Sequence, residues 1–133
     1  MDQALGKVAV YGSLRKGLHN HGLLRDATFL GSERIKGFNM HSLGSFPFIT
    51  TRGATSESEI TIEVYEVTPA EFRRLDMLEG YPSFYDRMLI DTSYGQAWIY
   101  FIDKDGSYST VQNERVQDGD WYKFLNPIVS DLE

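Results

Sequence analysis

No cysteine occurs in the 133-residue sequence, which excludes disulfides, thiol nucleophiles and cysteine-ligated metal centres. No stretch approaches the roughly 20 consecutive apolar residues that a membrane-spanning helix requires, so no membrane partner is expected. Basic residues are the minority charge, 13 Lys and Arg against 19 Asp and Glu, for a formal net charge of −6. Affinity for nucleic acid or an anionic membrane is built from Lys and Arg neutralising phosphates, and this balance opposes both. The adjacent Arg15-Lys16 pair reads as a solvated loop. Histidine is scarce as well: of His19, His21 and His41, the first two could donate a pair of metal ligands, but no third ligand stands at a recognisable spacing. Neither a metal nor a cofactor is expected. Met1–Lys7 lacks the basic and apolar regions of a secretion signal, which with the missing cysteine makes a cytoplasmic address the expectation.

Apolar residues make up 41% and aromatics 14% of the chain. That length and composition suit one domain over residues 1–133, burying about two thirds of its unfolded surface. Lys7–Tyr11 reads as a first strand, Asn20–Ala27 as a short helix or turn carrying Leu23 and Leu24, and Thr28–Leu43 as two strands broken near Lys36-Gly37. Phe46–Thr50 is a short extended piece. Glu59–Val67 alternates Ile60, Ile62 and Val64 with Thr61, Glu63 and Glu66, the period of a half-buried strand. Thr68 at N-cap, Pro69 at N1 and Glu71 at N3 form a capping box that opens a helix, which should stop near Gly80 before Pro82. Tyr85–Asp91 and Tyr94–Ile102 are two further strands, and Asp103–Gly106 is a turn signal. About six strands and a few short helices, unevenly distributed, predict an α+β fold with a curled, mixed sheet. Trp121, Tyr122 and Phe124 near the end read as sheet-covering core rather than a docking patch.

Two segments could carry chemistry. Val8–Val10 is an apolar run that stops at Tyr11-Gly12-Ser13-Leu14, where glycine permits either a tight turn or a close approach to a ligand. Successive N–H groups in such a turn can cradle a carboxylate or phosphate. The segment is not a phosphate-binding P-loop, because Leu18 follows Gly17 where lysine should stand. The second segment is Leu75–Pro82. On a helical step of roughly 100°, Glu79 falls within about 20–40° of Phe72 and Leu75, on the apolar face. The negative end of the helix, repulsion from Asp76 and burial would each raise its pKa. Pairing with Arg74 or Arg87, or fraying into solvent, is the alternative.

Read together with their intervening landmarks, these segments resemble the gamma-glutamylcyclotransferase-like family, in particular its gamma-glutamylamine cyclotransferase branch. The likeness rests on Val10–Leu14, Asn20, Leu24, Ser42-Leu43-Gly44, Phe46-Pro47, Gly53 and Glu63–Val67. It continues through Leu75-Asp76-x-Leu78-Glu79-Gly80-Tyr81-Pro82, Tyr85-x-Arg87, Ala97-Trp98-x-Tyr100 and Gly119-Asp120-Trp121. Leu14 directly follows Ser13, whereas the glutathione-degrading branches usually carry an extra asparagine before the leucine.

The resemblance implies a small β-barrel-like α+β fold. It implies an enzyme, independent of cofactors, that cyclises a gamma-glutamyl amine or gamma-glutamyl amino acid to 5-oxoproline. In that reading Tyr11, Gly12, Ser13 and Leu14 form the substrate cradle, Glu79 is the general base and acid, and Tyr85 lines the cavity. The expected partner is a small-molecule substrate and the favoured state a monomer. A non-catalytic module that binds a gamma-glutamyl or other small carboxylate ligand is the competing reading.

Overall fold

The computed structural model describes residues 6–103 and 114–126. In chain order these form β1 (Gly6–Val10), a 3₁₀ turn (His21–Leu24), β2 (Thr28–Lys36), β3 (Asn39–Ser42), β4 (Pro47–Thr50) and β5 (Glu59–Val67). Then come α1 (Pro69–Glu79), β6 (Asp86–Thr92), β7 (Gly95–Phe101), β8 (Glu114–Arg115) and a short second helix, α2 (Trp121–Leu125). Most of the expected turn at Asp103–Gly106 lies outside the described residues.

The strands make two sheets. A five-stranded mixed sheet has the order β2-β5-β1-β7-β6, and a three-stranded sheet the order β4-β3-β8. β1 pairs antiparallel with β5 and parallel with β7, where Val8 faces Trp98. The α+β class and the mixed sheet are as the sequence suggests, but the barrel is not closed, since β2 and β6 end the larger sheet as edges. Ile102 N–H donates to the Ile49 carbonyl at 3.0 Å and ties the end of β7 to β4 in the smaller sheet.

β1 buries both faces: Ala9 and Tyr11 join one apolar cluster with Ile60, Ile62 and Trp121, while Val8 and Val10 join another with Tyr65, Leu75 and Tyr85. β5 has the predicted limits, yet two of its polar residues do not face solvent: Thr61 is 7% and Glu63 6% exposed. Each is buried with partners. The Arg34 Nη1 donates to Thr61 Oγ1 at 2.7 Å, and the Tyr65 hydroxyl donates to Glu63 Oε1 at 2.9 Å. A period of two reports which side chains are polar, not whether another segment covers them.

α1 begins as its sequence dictates. Thr68 Oγ1 accepts from the Glu71 N–H at 3.1 Å, and Glu71 Oε1 accepts from the Thr68 N–H at 2.8 Å. Gly80 ends the helix with a φ of 65°, a conformation glycine adopts without steric cost. This end brings Glu79, the last helical residue, toward the loop that follows β1.

Candidate functional site

Tyr11 lies just beyond β1 and is buried, its hydroxyl donating to the Tyr100 carbonyl at 2.7 Å. At Gly12 a Cβ would sit 2.9 Å from Cδ and 3.0 Å from Cγ of Pro47. Glycine is required here by the approach of Pro47, since Gly12 is not among the residues of positive φ. Ser13 Oγ accepts from the Asn20 side-chain amide at 2.8 Å, and the Ser13 carbonyl accepts from the Asn20 N–H at 2.9 Å. The Leu14 carbonyl faces His21 Nδ1 at 2.8 Å; as a carbonyl only accepts, that nitrogen carries the proton. His21 therefore pins the loop, and among the described residues no cluster of His, Asp and Glu could hold a metal ion. The N–H groups of Gly12, Ser13 and Leu14 reach no acceptor among the described residues.

Arg15 corrects the expectation of a solvated basic pair. Its side chain is buried, with Nε 3.0 Å from Glu63 Oε2 and Nη1 3.0 Å from Asp120 Oδ1. The Lys16 N–H donates to Glu63 Oε1 at 3.0 Å. Burial alone would raise the Asp120 carboxyl, but the Lys123 N–H and Arg15 outweigh it and hold the pKa below the ordinary carboxylate range. The loop is thus anchored from behind to β5 and to the start of α2. Of the three terminal aromatics, Trp121 is fully buried and stacks on Phe124, while Tyr122 stays exposed.

A cavity of about 250 Å³ opens beside the loop. Tyr11, Gly12, Ser13, Leu14, Glu79 and Tyr85 all line it, so the structure brings together the six residues expected at the site. It adds His19, Asn20, Ser45, Phe46, Leu78, Phe84 and Tyr100. Phe46-Pro47 and Tyr100 stand out as landmarks of the family likeness, but nothing local assigns them to a wall; their positions depend on how β4 and β7 meet.

The Glu79 carboxyl is pushed up to about 7, and burial is the cause. The direction is as expected, but the reasons are fewer. Asp76 is occupied elsewhere: Arg87 Nη1 lies 2.8 Å and 2.7 Å from its two carboxylate oxygens, and the Tyr100 hydroxyl donates to Oδ1 at 2.7 Å. The Arg87 guanidinium is itself packed among Phe72, Tyr81 and Trp98, at 4.6, 4.2 and 4.7 Å from the ring centroids. Arg87 is therefore spent on Asp76, and no cation among the described residues compensates Glu79.

Three phenols surround that carboxyl. Burial is the largest cause raising the pKa of Tyr11, Tyr85 and Tyr100, and the charge of Glu79 adds to it in each. Their protons are committed: Tyr11 to the Tyr100 carbonyl at 2.7 Å, Tyr85 to the Pro47 carbonyl at 2.6 Å and Tyr100 to Asp76 at 2.7 Å.

The family model described as gamma-glutamyl cyclotransferase, AIG2-like, matches residues 8–123, which include the whole cavity wall. The chain belongs to this family. As a gamma-glutamyl cyclotransferase family member it is similar to the gamma-glutamylcyclotransferase family protein YtfP of Escherichia coli K12, at 32% identity over 117 residues, covering 86% of this chain and 95% of that one. The crystal structure of PH0828 from Pyrococcus horikoshii superimposes with a TM-score of 0.76 at 26% identity, covering 94% of this chain and 97% of that one. The solution structure of ytfP from Escherichia coli gives a TM-score of 0.66 at 30% identity, covering 86% and 95%. Both share the fold described above.

Proposed function

We propose that the protein cyclises a gamma-glutamyl group to 5-oxoproline and releases the attached amine. One observation carries this reading: a carboxyl with its pKa raised to about 7 shares a small cavity with three consecutive N–H groups, and among the described residues no cation compensates the one and no acceptor meets the others. The substrate's α-amine nitrogen attacks its own γ-carbonyl carbon. A C–N bond closes the five-membered ring, and the C–N bond to the leaving amine breaks. Two protons leave the α-ammonium, one to Glu79 before attack and one as the ring amide forms, and Glu79 relays them in turn to the departing nitrogen, which is released as an ammonium. No outside nucleophile is consumed, and holding the two ends of one molecule in line can be worth an effective molarity of about 10⁵ M or more.

The tuning of Glu79 matters because the α-ammonium has a pKa near 7.7–8.0 and an ordinary glutamate about 4.3, a transfer uphill by roughly 5 kcal/mol. With Glu79 near 7 the gap falls to about one pKa unit, or roughly 1.4 kcal/mol. The burial that raises Glu79 also favours the neutral amine–acid pair over the ion pair. The acid role falls to Glu79 because the three neighbouring phenols have their protons committed. The N–H groups of Gly12, Ser13 and Leu14 supply preorganised donors for the α-carboxylate or the developing oxyanion. Tyr11 and Tyr85 shape the wall between them. A cavity of about 250 Å³ lies below the roughly 300–1,000 Å³ of sites for drug-sized ligands, which suits so small a group.

The test is 5-oxoproline release from a panel of gamma-glutamyl compounds by wild type and Glu79→Gln. Wild type should turn over with kcat/KM rising along a limb near pH 7, and the variant should lose about 10²–10⁴-fold. Activity surviving within a few-fold would remove Glu79 from the role. Calorimetric binding without product release would leave the cavity as a ligand-holding site.

A further inference from the structure

Arg87 stands on β6, outside the cavity wall, with its guanidinium packed among Phe72, Tyr81 and Trp98. Its Nη1 reaches both carboxylate oxygens of Asp76, yet its Nε is buried with no acceptor among the described residues. A part-buried ion pair that leaves an N–H unmet contributes little to stability. What the pair does change is the charge near Glu79. Asp76 precedes Glu79 by three residues on α1, a spacing that makes two side chains neighbours on a helix surface. Tyr100 connects them, since its hydroxyl donates to Asp76 Oδ1 and its ring lines the cavity with Glu79. Burial raises the Tyr100 pKa most, the charges of Asp76 and Glu79 add to this, and Arg87 opposes them. The other groups around Glu79 would not offset a bare Asp76 charge. Tyr11, from the loop after β1, and Tyr85, just before β6, are neutral phenols with committed protons. The β4 side brings only Ser45, Phe46 and Pro47 to the wall. His19 is exposed, as are Arg73 and Arg74 on α1, and charges in solvent are screened.

We infer that Arg87 is a positioning residue for Glu79: by neutralising Asp76 it lets Glu79 release and recover its proton near neutral pH. A bare Asp76 carboxylate would repel the Glu79 charge across roughly 6 Å, which at an effective dielectric of about 20 or higher displaces the titration of Glu79 upward by about one pH unit. Glu79 would then hold its proton at neutral pH and fail as a base. Without Asp76 the uncompensated guanidinium acts in the opposite sense and displaces the titration downward. The use of Glu79 as a base rests on the cyclisation proposed above; the charge balance around it does not.

Carbon-13 NMR titration of the Glu79 carboxyl, assigned by its loss in Glu79→Gln, tests this on the free protein. Arg87→Met should move the midpoint up by about one pH unit and Asp76→Asn should move it down by about half a unit, while the double variant should return to within about 0.3 of wild type. Arg87→Lys keeps the charge but loses the planar stacking, and should recover most of the shift. The acidic limb of kcat/KM for 5-oxoproline release should move by the same amounts. Loosened packing would let water reach Glu79 and lower its midpoint in every variant, so opposite shifts in the two single variants separate charge from fold. A downward or absent shift in Arg87→Met, or shifts of one sign in both, overturns the inference. If Arg87→Met does not fold, Asp76→Asn and the double variant decide: a downward shift in the first that the second abolishes supports the inference, and any other result overturns it. Absence of 5-oxoproline from every compound would overturn the cyclisation and leave the titration to decide the role of Arg87.

Discussion

Replacing Glu79 with Gln should stabilise the protein at alkaline pH, and the size of the effect follows from burial of one carboxyl. In the folded state this group has a pKa of about 7 against a reference value of 4.5. The native state therefore holds the proton more tightly than the unfolded chain. For such a group stability is greatest below about pH 4.5, declines as pH rises toward 7 and is level above that. A gap of about 2.5 in pKa, at about 1.36 kcal/mol each, amounts to about 3 kcal/mol. Gln carries no charge at any pH, so the difference in unfolding free energy between the two proteins should move by about 3 kcal/mol from pH 4.5 to 8, in favour of the variant. In melting temperature this is roughly 10 °C for a chain of this size. Urea unfolding of both proteins at several pH values measures it, because all other titrating groups are shared and cancel; equal m-values would show that the unfolded states match. A difference that stays flat within about 0.5 kcal/mol, or that moves in favour of wild type, would refute burial as the source of the raised pKa. A shift of the expected size would identify the buried charge as a cost in stability, of the kind that functional sites commonly carry.

Two further substitutions probe the walls of the site. Gly12→Ala puts a methyl group 2.9 Å from Pro47 Cδ, so Pro47 or the loop must yield; a loss of about 1–3 kcal/mol in denaturant stability is expected, with KM raised as the N–H groups shift. Preserved stability and KM would show that Pro47 moves freely. Arg15→Ala leaves Glu63 and Asp120 without their shared guanidinium and should cost about 3–5 kcal/mol in urea titrations, the loss typical of breaking a buried pair. Arg15→Lys should recover part of it, and a loss below about 1 kcal/mol from the alanine change would mean that solvent reaches these carboxylates.

Local sequence determined the elements that depend on near neighbours. The limits of β5, the capping box of Thr68 and Glu71 and the stop at Gly80 all follow from contacts within a few residues along the chain. The same holds for the position of Glu79 on the apolar face of α1, because the helical repeat sets it. Tertiary structure decided what surrounds those residues. Gly12 is glycine because of Pro47, Glu63 is internal because Arg15 and Tyr65 reach it, and Asp76 leaves Glu79 alone because Arg87 arrives from β6. Tyr100, on the far strand β7, could not be assigned to the wall without the β1–β7 pairing. The physical division is one of range: backbone hydrogen bonding and side-chain periodicity are settled over a few residues, whereas desolvation and close approach are set by segments that meet only after the sheets form.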